Sequence, residues 1–247
     1  MRGARVWLSS VVDAAAAAIG FLTVLPVPEE RATRGRAHAT AVFPWVGLAL
    51  GALGLLVRAA PLDPIVAAAL AVAALALATG GLHWDGWADV LDATGTPGLP
   101  RSRRIEILED PRVGAHAALG VALLVVVRVV ALVRTPAWAL LMGAVFGRWV
   151  MVVTLRWAPT VRKDGAGARL AGSARPVVAA LAPIALGAAT AAWGGPGRQL
   201  VVAIAVGAVV AAVAVAFVVQ RLGGMNGDGH GAVGLLAESA VWAAAIR

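Results

Sequence analysis

"QLVVAIAVGAVVAAVAVAFVV", residues 199–219, contains no charged side chain. An α-helix rises 1.5 Å per residue, so this stretch is about 30 Å long, the depth of a bilayer's hydrocarbon core. It reads as a membrane span and sets the class for the rest of the chain. Working outward from it, apolar stretches of similar length lie at 41–60, 64–82, 113–133, 136–156 and 176–193, which makes six expected spans. Two further apolar segments, 6–25 and 231–246, are interrupted by Asp13 and Glu238. Each reads as a span, a re-entrant piece or an interfacial helix. For 6–25 a cleaved signal peptide is a further reading, since Arg2 and Arg5 precede an alanine-rich run, but Asp13 breaks its apolar core. The expected fold class is therefore all-α, a polytopic membrane helix bundle forming a single domain over residues 1–247.

Composition agrees. The 247 residues are 60% hydrophobic and only 14% charged, outside the range of soluble domains. There is no cysteine, which excludes disulfides, thiolate metal sites and thiol redox chemistry. The formal net charge of +8 is carried almost wholly by arginine, Lys163 being the only lysine. Such a balance suits nucleic acid, anionic lipid or a phosphorylated substrate, and the placement of the cations decides. They cluster in alternate connections, at 31–36, 101–112, 156–175 and Arg221, while the opposite connections hold only Arg58, Arg134 and Arg198. Short basic loops stay cytoplasmic, so topology explains most of the charge and nucleic acid is not an expected partner. The same asymmetry puts 83–112, 156–175 and 221–230 on the cytoplasmic side together.

That side also gathers the acids. In "GGLHWDGWADVLDATG", residues 80–95, Asp85, Asp89 and Asp92 stand at i, i+4 and i+7, within about 60° of one another around a helix axis. Three like charges at a membrane boundary repel unless a cation holds them, and oxygen-only ligands suit Mg²⁺ or Mn²⁺ bridging substrate phosphates. A solvated acidic turn is the plainer reading, against which Gly86 and Trp87 argue. His83 reads as an interfacial or hydrogen-bonding residue rather than a metal ligand. Downstream, "RRIEILEDPRVG" reads as a short amphipathic surface helix closed by Pro111, with Glu106 and Asp110 either in salt bridges, such as Arg103 with Glu106, or as further ligands. "APTVRKDGAGAR" is a glycine-containing loop whose Arg162 and Lys163 suit phosphate oxygens. Arg148, in "FGRWV", sits inside an apolar run, where a charge needs a partner or a polar cavity unless it snorkels to the nearby end. Finally, "GGLHWDG" at 80–86 and "GGMNGDG" at 223–229 share the spacing GG-x-x-x-DG, each at the cytoplasmic end of a span. The two turns are expected to bring Asp85 and Asp228 to opposite sides of one metal-diphosphate cluster.

"TGGLHWDGWADVLDATG" followed by "RRIEILEDPRVG" resembles the signature of the cobalamin synthase family, the adenosylcobinamide-GDP ribazoletransferases. "FLTVLPVP", "FPWVG", the Gly147-Arg148 pair, the "PTVRKDGAG" loop and "RLGGMNGDGHGA" resemble further family segments in the same order. The resemblance implies one integral membrane catalytic domain in a prokaryotic cytoplasmic membrane. It would use Mg²⁺ to transfer adenosylcobinamide phosphate from adenosylcobinamide-GDP to a ribose hydroxyl of α-ribazole or its 5′-phosphate, releasing GMP. In that chemistry Asp85, Asp89 and Asp92 are the expected metal ligands. Asp110 or Asp228 would complete the coordination or accept the nucleophile's proton, and Arg112, Arg148, Arg162 and Lys163 would contact phosphates. The chain departs from the family pattern at Leu235, where a glutamate is usual and only Glu238 follows, at Ala117 in place of glycine, and at Ala166 in place of leucine. A CDP-alcohol phosphotransferase or an intramembrane prenyltransferase would also cluster aspartates at a membrane face, but neither motif is complete here. A transporter would put its charges near the midplane in two related halves.

Overall fold

The computed structural model describes residues 2–161, 166–193 and 195–246, without the side chains of 2–7 and 166–168. Helices account for every regular element among them; no strand forms among the described residues, and the one β-bridge joins Thr160 to Met225. In chain order the helices are α1 (Arg2–Leu22), α2 (Glu29–Gly35), α3 (Ala39–Arg58), α4 (Pro64–Ala78), α5 (Leu82–Gly95), α6 (Arg101–Leu108), α7 (Ala115–Arg134), α8 (Ala137–Trp157), α9 (Ala166–Ala171), α10 (Pro176–Ala179), α11 (Leu181–Ala192), α12 (Gly197–Leu222) and α13 (Gly227–Ala244).

Four of the described helices are long and apolar enough to cross a bilayer: the continuous helical stretch Glu29–Arg58, α7, α8 and α12. A fifth span is possible only if α4 and α5 are counted as one, and these are bent by 90°. The expectation of six spans is corrected at two places. At 64–82, Asp63 caps α4 through Ile65 N and Val66 N, and the helix stops at Ala78 because Gly80 and Gly81 take φ of 58° and 73°, a left-handed turn that glycine adopts without strain. At 176–193, Pro183 has no N–H to continue an upstream helix, so the backbone restarts at Leu181. The whole stretch Pro176–Ala192 then reaches about 26 Å at 1.5 Å per residue, short of the hydrocarbon depth. Of the two weaker segments, the first falls within α1, whose Asp13 is paired with Arg34 at 2.8 Å. The other weak segment is α13, buried along nearly its whole length.

The bundle is built around α8. Its most apolar window is 78% buried, against 28% for α7 and 22% for α12, which places α8 inside and the other two at the lipid-facing rim. On α7, Leu119, Leu123, Val126 and Val130 form an exposed stripe at helical spacing, while Leu124, Arg128, Ala131 and Leu132 face inward. One apolar cluster joins α8 to α1, α3 and α4; a second joins it to α5, α12 and α13. Within a membrane helices associate by close van der Waals packing, which small residues permit. On the face of α8 toward α13, Gly143 lies against the Trp242 indole, and a Cβ built on Gly147 falls 2.6 Å from the Gly234 carbonyl oxygen. Toward α3, a Cβ on Gly47 would fall 2.4 Å from the Ala144 carbonyl oxygen.

Backbone atoms on a facing helix cannot swing aside, so Gly147→Val forces α8 and α13 apart. A loss of about 1–3 kcal/mol or more is expected, read as a lower melting temperature in detergent. Gly172→Ala, where an added Cβ meets nothing within 4 Å, is expected to melt with the unmodified protein.

Candidate active site

The acids lie on α5, and the sequence fixes that helix from both ends. At its start the Gly80–Gly81 turn swings it away from α4 by 90°, so it does not continue that helix's axis. At its finish the buried Arg104 donates to the carbonyls of Ala93 (2.9 Å), Thr96 (2.8 Å) and Leu99 (3.1 Å), and Arg221 reaches the carbonyl of Thr94. Cations at a helix C-terminus satisfy its last carbonyls and complement its dipole. Arg104 and Arg221 thus serve the backbone of α5 directly. Arg103 pairs with Glu106 at 2.6 Å on the exposed side of α6, as the sequence suggested.

The second acidic turn meets the first. Gly86 packs on the backbone of Asp228 so closely that a Cβ would lie 2.7 Å from the Asp228 carbonyl oxygen, and Gly231 lies beside the His83 ring in the same way. The two GG-x-x-x-DG segments are therefore neighbours across the α5–α13 contact. Asn226 caps α13 by accepting from Gly229 N at 2.9 Å, and its amide donates to Asp228 at 2.7 Å. Burial pushes the Asp89 carboxyl up to about 6, and the charges of Asp85, Asp228 and Asp92 push it the same way. For Asp228 burial is again the leading cause of an upward shift, with Asp85 adding to it.

Asp92, expected as a third ligand of the same metal, faces a different neighbour. Its two oxygens accept the backbone N–H groups of Gly114 (2.6 Å) and Ala117 (2.9 Å), capping α7 from another helix. Among the described residues no three His, Asp or Glu side chains converge as a ready metal cage. The donor chemistry nonetheless fits a hard divalent cation: Asp85, Asp89 and Asp228 are oxygen donors, and the charge of Asp85 adds to the upward shifts of Asp89 and Asp228, which a cation would relieve.

The expected phosphate contacts divide. Arg112 folds back on Asp110, donating through Nε and a terminal nitrogen, and Asp110 also accepts Arg112 N. These bonds hold the Asp110 carboxyl down at about 2, so the exposed pair stays ionised at any physiological pH. Arg148 lies inside the bundle and is paired with Glu238. Arg162 and Lys163 lie outside the described residues, as does the side chain of Ala166, but the start of their loop is fastened to the second acidic turn. Val161 N donates to Met225 O at 3.0 Å and Met225 N to Pro159 O at 2.7 Å. Sequence reasoning passed over Arg128, which also contacts Glu238 at 3.1 Å and is signalled, like Arg148, by a charge inside an apolar run.

The profile of the cobalamin-5-phosphate synthase family matches residues 14–246. The chain belongs to that family. It is 36% identical to an adenosylcobinamide-GDP ribazoletransferase of Frankia casuarinae over 85% of this chain and 86% of that one. A protein of the same name from Mesorhizobium japonicum is 34% identical over 94% and 92%. One from Brevibacillus brevis is 33% identical over 87% and 90%. No solved structure matches the chain.

The different settings of Asp92 and Asp89 separate architecture from chemistry. Asp92→Asn removes one of two acceptors at the start of α7 and is expected to cost about 1 kcal/mol, seen as earlier thermal melting. Asp89→Asn removes a repelled charge and is expected to melt no earlier than the unmodified protein. Equal melting of the two variants would contradict this division.

Proposed function

We propose that this membrane protein is an adenosylcobinamide-GDP ribazoletransferase, transferring adenosylcobinamide phosphate to a ribose hydroxyl of α-ribazole or its 5′-phosphate and releasing GMP. The observation that carries the reading is the meeting of the two acidic turns at Gly86 and Asp228, in a chain of this family. Attack of a hydroxyl on a phosphoanhydride asks little covalent chemistry of a protein; it asks for position, charge neutralisation and a stabilised leaving group. In this reading Asp85, Asp89 and Asp228 hold Mg²⁺, which supplies the neutralisation of the diphosphate. Asp92 keeps α5 and α7 in register beside it. Arg112, together with Arg162 and Lys163 of the tethered loop, takes the phosphate oxygens, Arg112 exchanging Asp110 for substrate. Arg148 acts at a distance, holding α13 through Glu238. The arginine asymmetry supports a site on the cytoplasmic side of the cytoplasmic membrane. The acids at one edge of the bundle favour the transferase over a transporter.

GMP release by purified protein given GDP-activated cobinamide, α-ribazole and Mg²⁺ tests the reading directly. Asp85→Asn and Asp89→Asn are each expected to lower turnover by about 100-fold or more, by analogy with single electrostatic contacts in transition states, and to raise the Mg²⁺ requirement of any residual activity. Asp63→Asn is the control, since asparagine caps α4 as well as aspartate does. Turnover unchanged in both motif variants would remove the acids from the chemistry.

Sidedness has its own measurement. The chain has no cysteine, so single substitutions report cleanly. P97C, on the exposed loop after α5, is expected to react with an impermeant thiol reagent only from the cytoplasmic side, and L62C, before α4, only from the other. Labelling of P97C from outside would invert the topology.

A further inference from the structure

Beside the acidic turn the structure opens a cleft of 730 Å³ between α5, α7 and the end of α1. That is within the range of about 300–1,000 Å³ usual for a small-molecule site. Its walls are of three kinds. Phe21 and Trp84 supply aromatic surface; Ala88, Ala117 and Ala118 are small and leave the room; Asp85 is the one carboxylate. At the bend, Gly81 has nothing within 4 Å of where a Cβ would stand, so the backbone itself borders open space. The Thr79 hydroxyl, though it lines the cleft, is spent on the carbonyls of Leu75 (3.0 Å) and Ala76 (3.1 Å). An occupant therefore finds mostly aromatic and apolar contact along the walls, and its one charged partner, Asp85, stands at the same end as the polar backbone of the Gly80–Gly81 bend.

We infer that this cleft binds the flat bicyclic aromatic base of the ribazole substrate and so presents its ribose to Asp85; the inference rests on the transferase reading and assigns one half of it to a place. The other candidate groups fit the walls poorly. Guanine carries a hydrogen-bonding edge along most of its rim, and a corrin is fringed with amides; both would bury many of those polar atoms against aromatic and aliphatic side chains. A benzimidazole is apolar around its carbocycle and loses nothing there, while aromatic walls favour a stacked ring. Its ribose is the polar end, matching a cleft polar at one end. The position of the cleft, where α4 bends and α7 begins, puts it at the membrane boundary, where an amphipathic nucleoside enters from water.

Narrowing the cleft from α7 tests this without touching the acids. Ala118 is exposed, so Ala118→Phe fills the cleft and leaves the bundle core alone; Val121→Phe narrows the same wall from nearly one turn further along. In nanodiscs, each is expected to raise KM for α-ribazole about tenfold or more while kcat and KM for GDP-activated cobinamide stay within about twofold. Equilibrium binding of α-ribazole alone, which needs no turnover, is expected to weaken in the same two variants by the same factor. A KM for α-ribazole unchanged in both, or KM values for both substrates rising together, overturns the assignment and leaves the cleft a lipid-filled groove. A wild-type protein that binds α-ribazole but releases no GMP defeats the transferase reading instead, and the binding arm then decides the cleft alone.

Discussion

Glu238 sets one carboxylate between two guanidinium groups in the interior of the bundle. Glu238 is 1% exposed, Arg128 2% and Arg148 5%. Arg128 comes from α7, Arg148 from α8 and Glu238 from α13, so three helices meet through one acid. Arg128 also donates to Ser239 at 2.8 Å, and its guanidinium stacks over Trp242 at 4.1 Å and faces Trp84 at 5.6 Å. A buried ion pair is no guarantee of stability, since desolvation offsets much of the attraction, but removing one partner strands the others at a cost of about 3–5 kcal/mol. Its value lies in register. With a single carboxylate available, α13 can slide or rotate very little before one arginine loses its counter-charge. Asp228 lies ten residues earlier on the same helix, about 15 Å along its axis, so whatever fixes Glu238 also fixes where Asp228 meets Gly86.

The same network leans on the cleft. Trp84, one of its aromatic walls, carries Arg128 against its ring, so the indole is held from the interior side by a cation that Glu238 in turn holds. His83, the preceding residue, is 3% exposed and packs against Gly231 of α13. The start of α5 is therefore tied to the ion network on one side and to the glycine bend on the other. Its end is tied by Arg104 and Arg221. A helix carrying three carboxylates on one side is held against their repulsion here by the partners of its last carbonyls and by the bonds of Asp92 to the start of α7, which leaves Asp89 as the acid most raised by burial and by its neighbours.

Much of this was legible. The apolar runs gave the class, and the i, i+4, i+7 spacing of Asp85, Asp89 and Asp92 gave one helical face, because both signals are local and periodic. The contact of the two acidic turns, Gly86 on the backbone of Asp228, was legible from the repeated GG-x-x-x-DG spacing, since glycines permit backbones to approach. What length and hydropathy could not show was a helix that turns: 64–82 is apolar throughout, and only the conformation at Gly80 and Gly81 distinguishes a span from a bent pair. Pro183 was a readable break in 176–193 that the apolar count overrode. The capping role of Asp92 depends on Gly114 and Ala117, which lie 22 and 25 residues away in sequence, and no periodicity carries that.

Glu238 is the most instructive case. Measured against the family pattern it looks like a displaced acid, since the usual position seven residues after Asp228 holds Leu235. In a helix, three residues is nearly one turn, so residue 238 faces within about 60° of residue 235 and one level deeper into the bundle. At that depth a carboxylate cannot serve a phosphate or a metal at the membrane face, but it can answer two arginines that would otherwise stand as unpaired charges in an apolar interior. The C-terminal acid thus acts through architecture. It sets α13, α13 sets Asp228, and Asp228 closes the acidic site that α5 alone leaves open on one side.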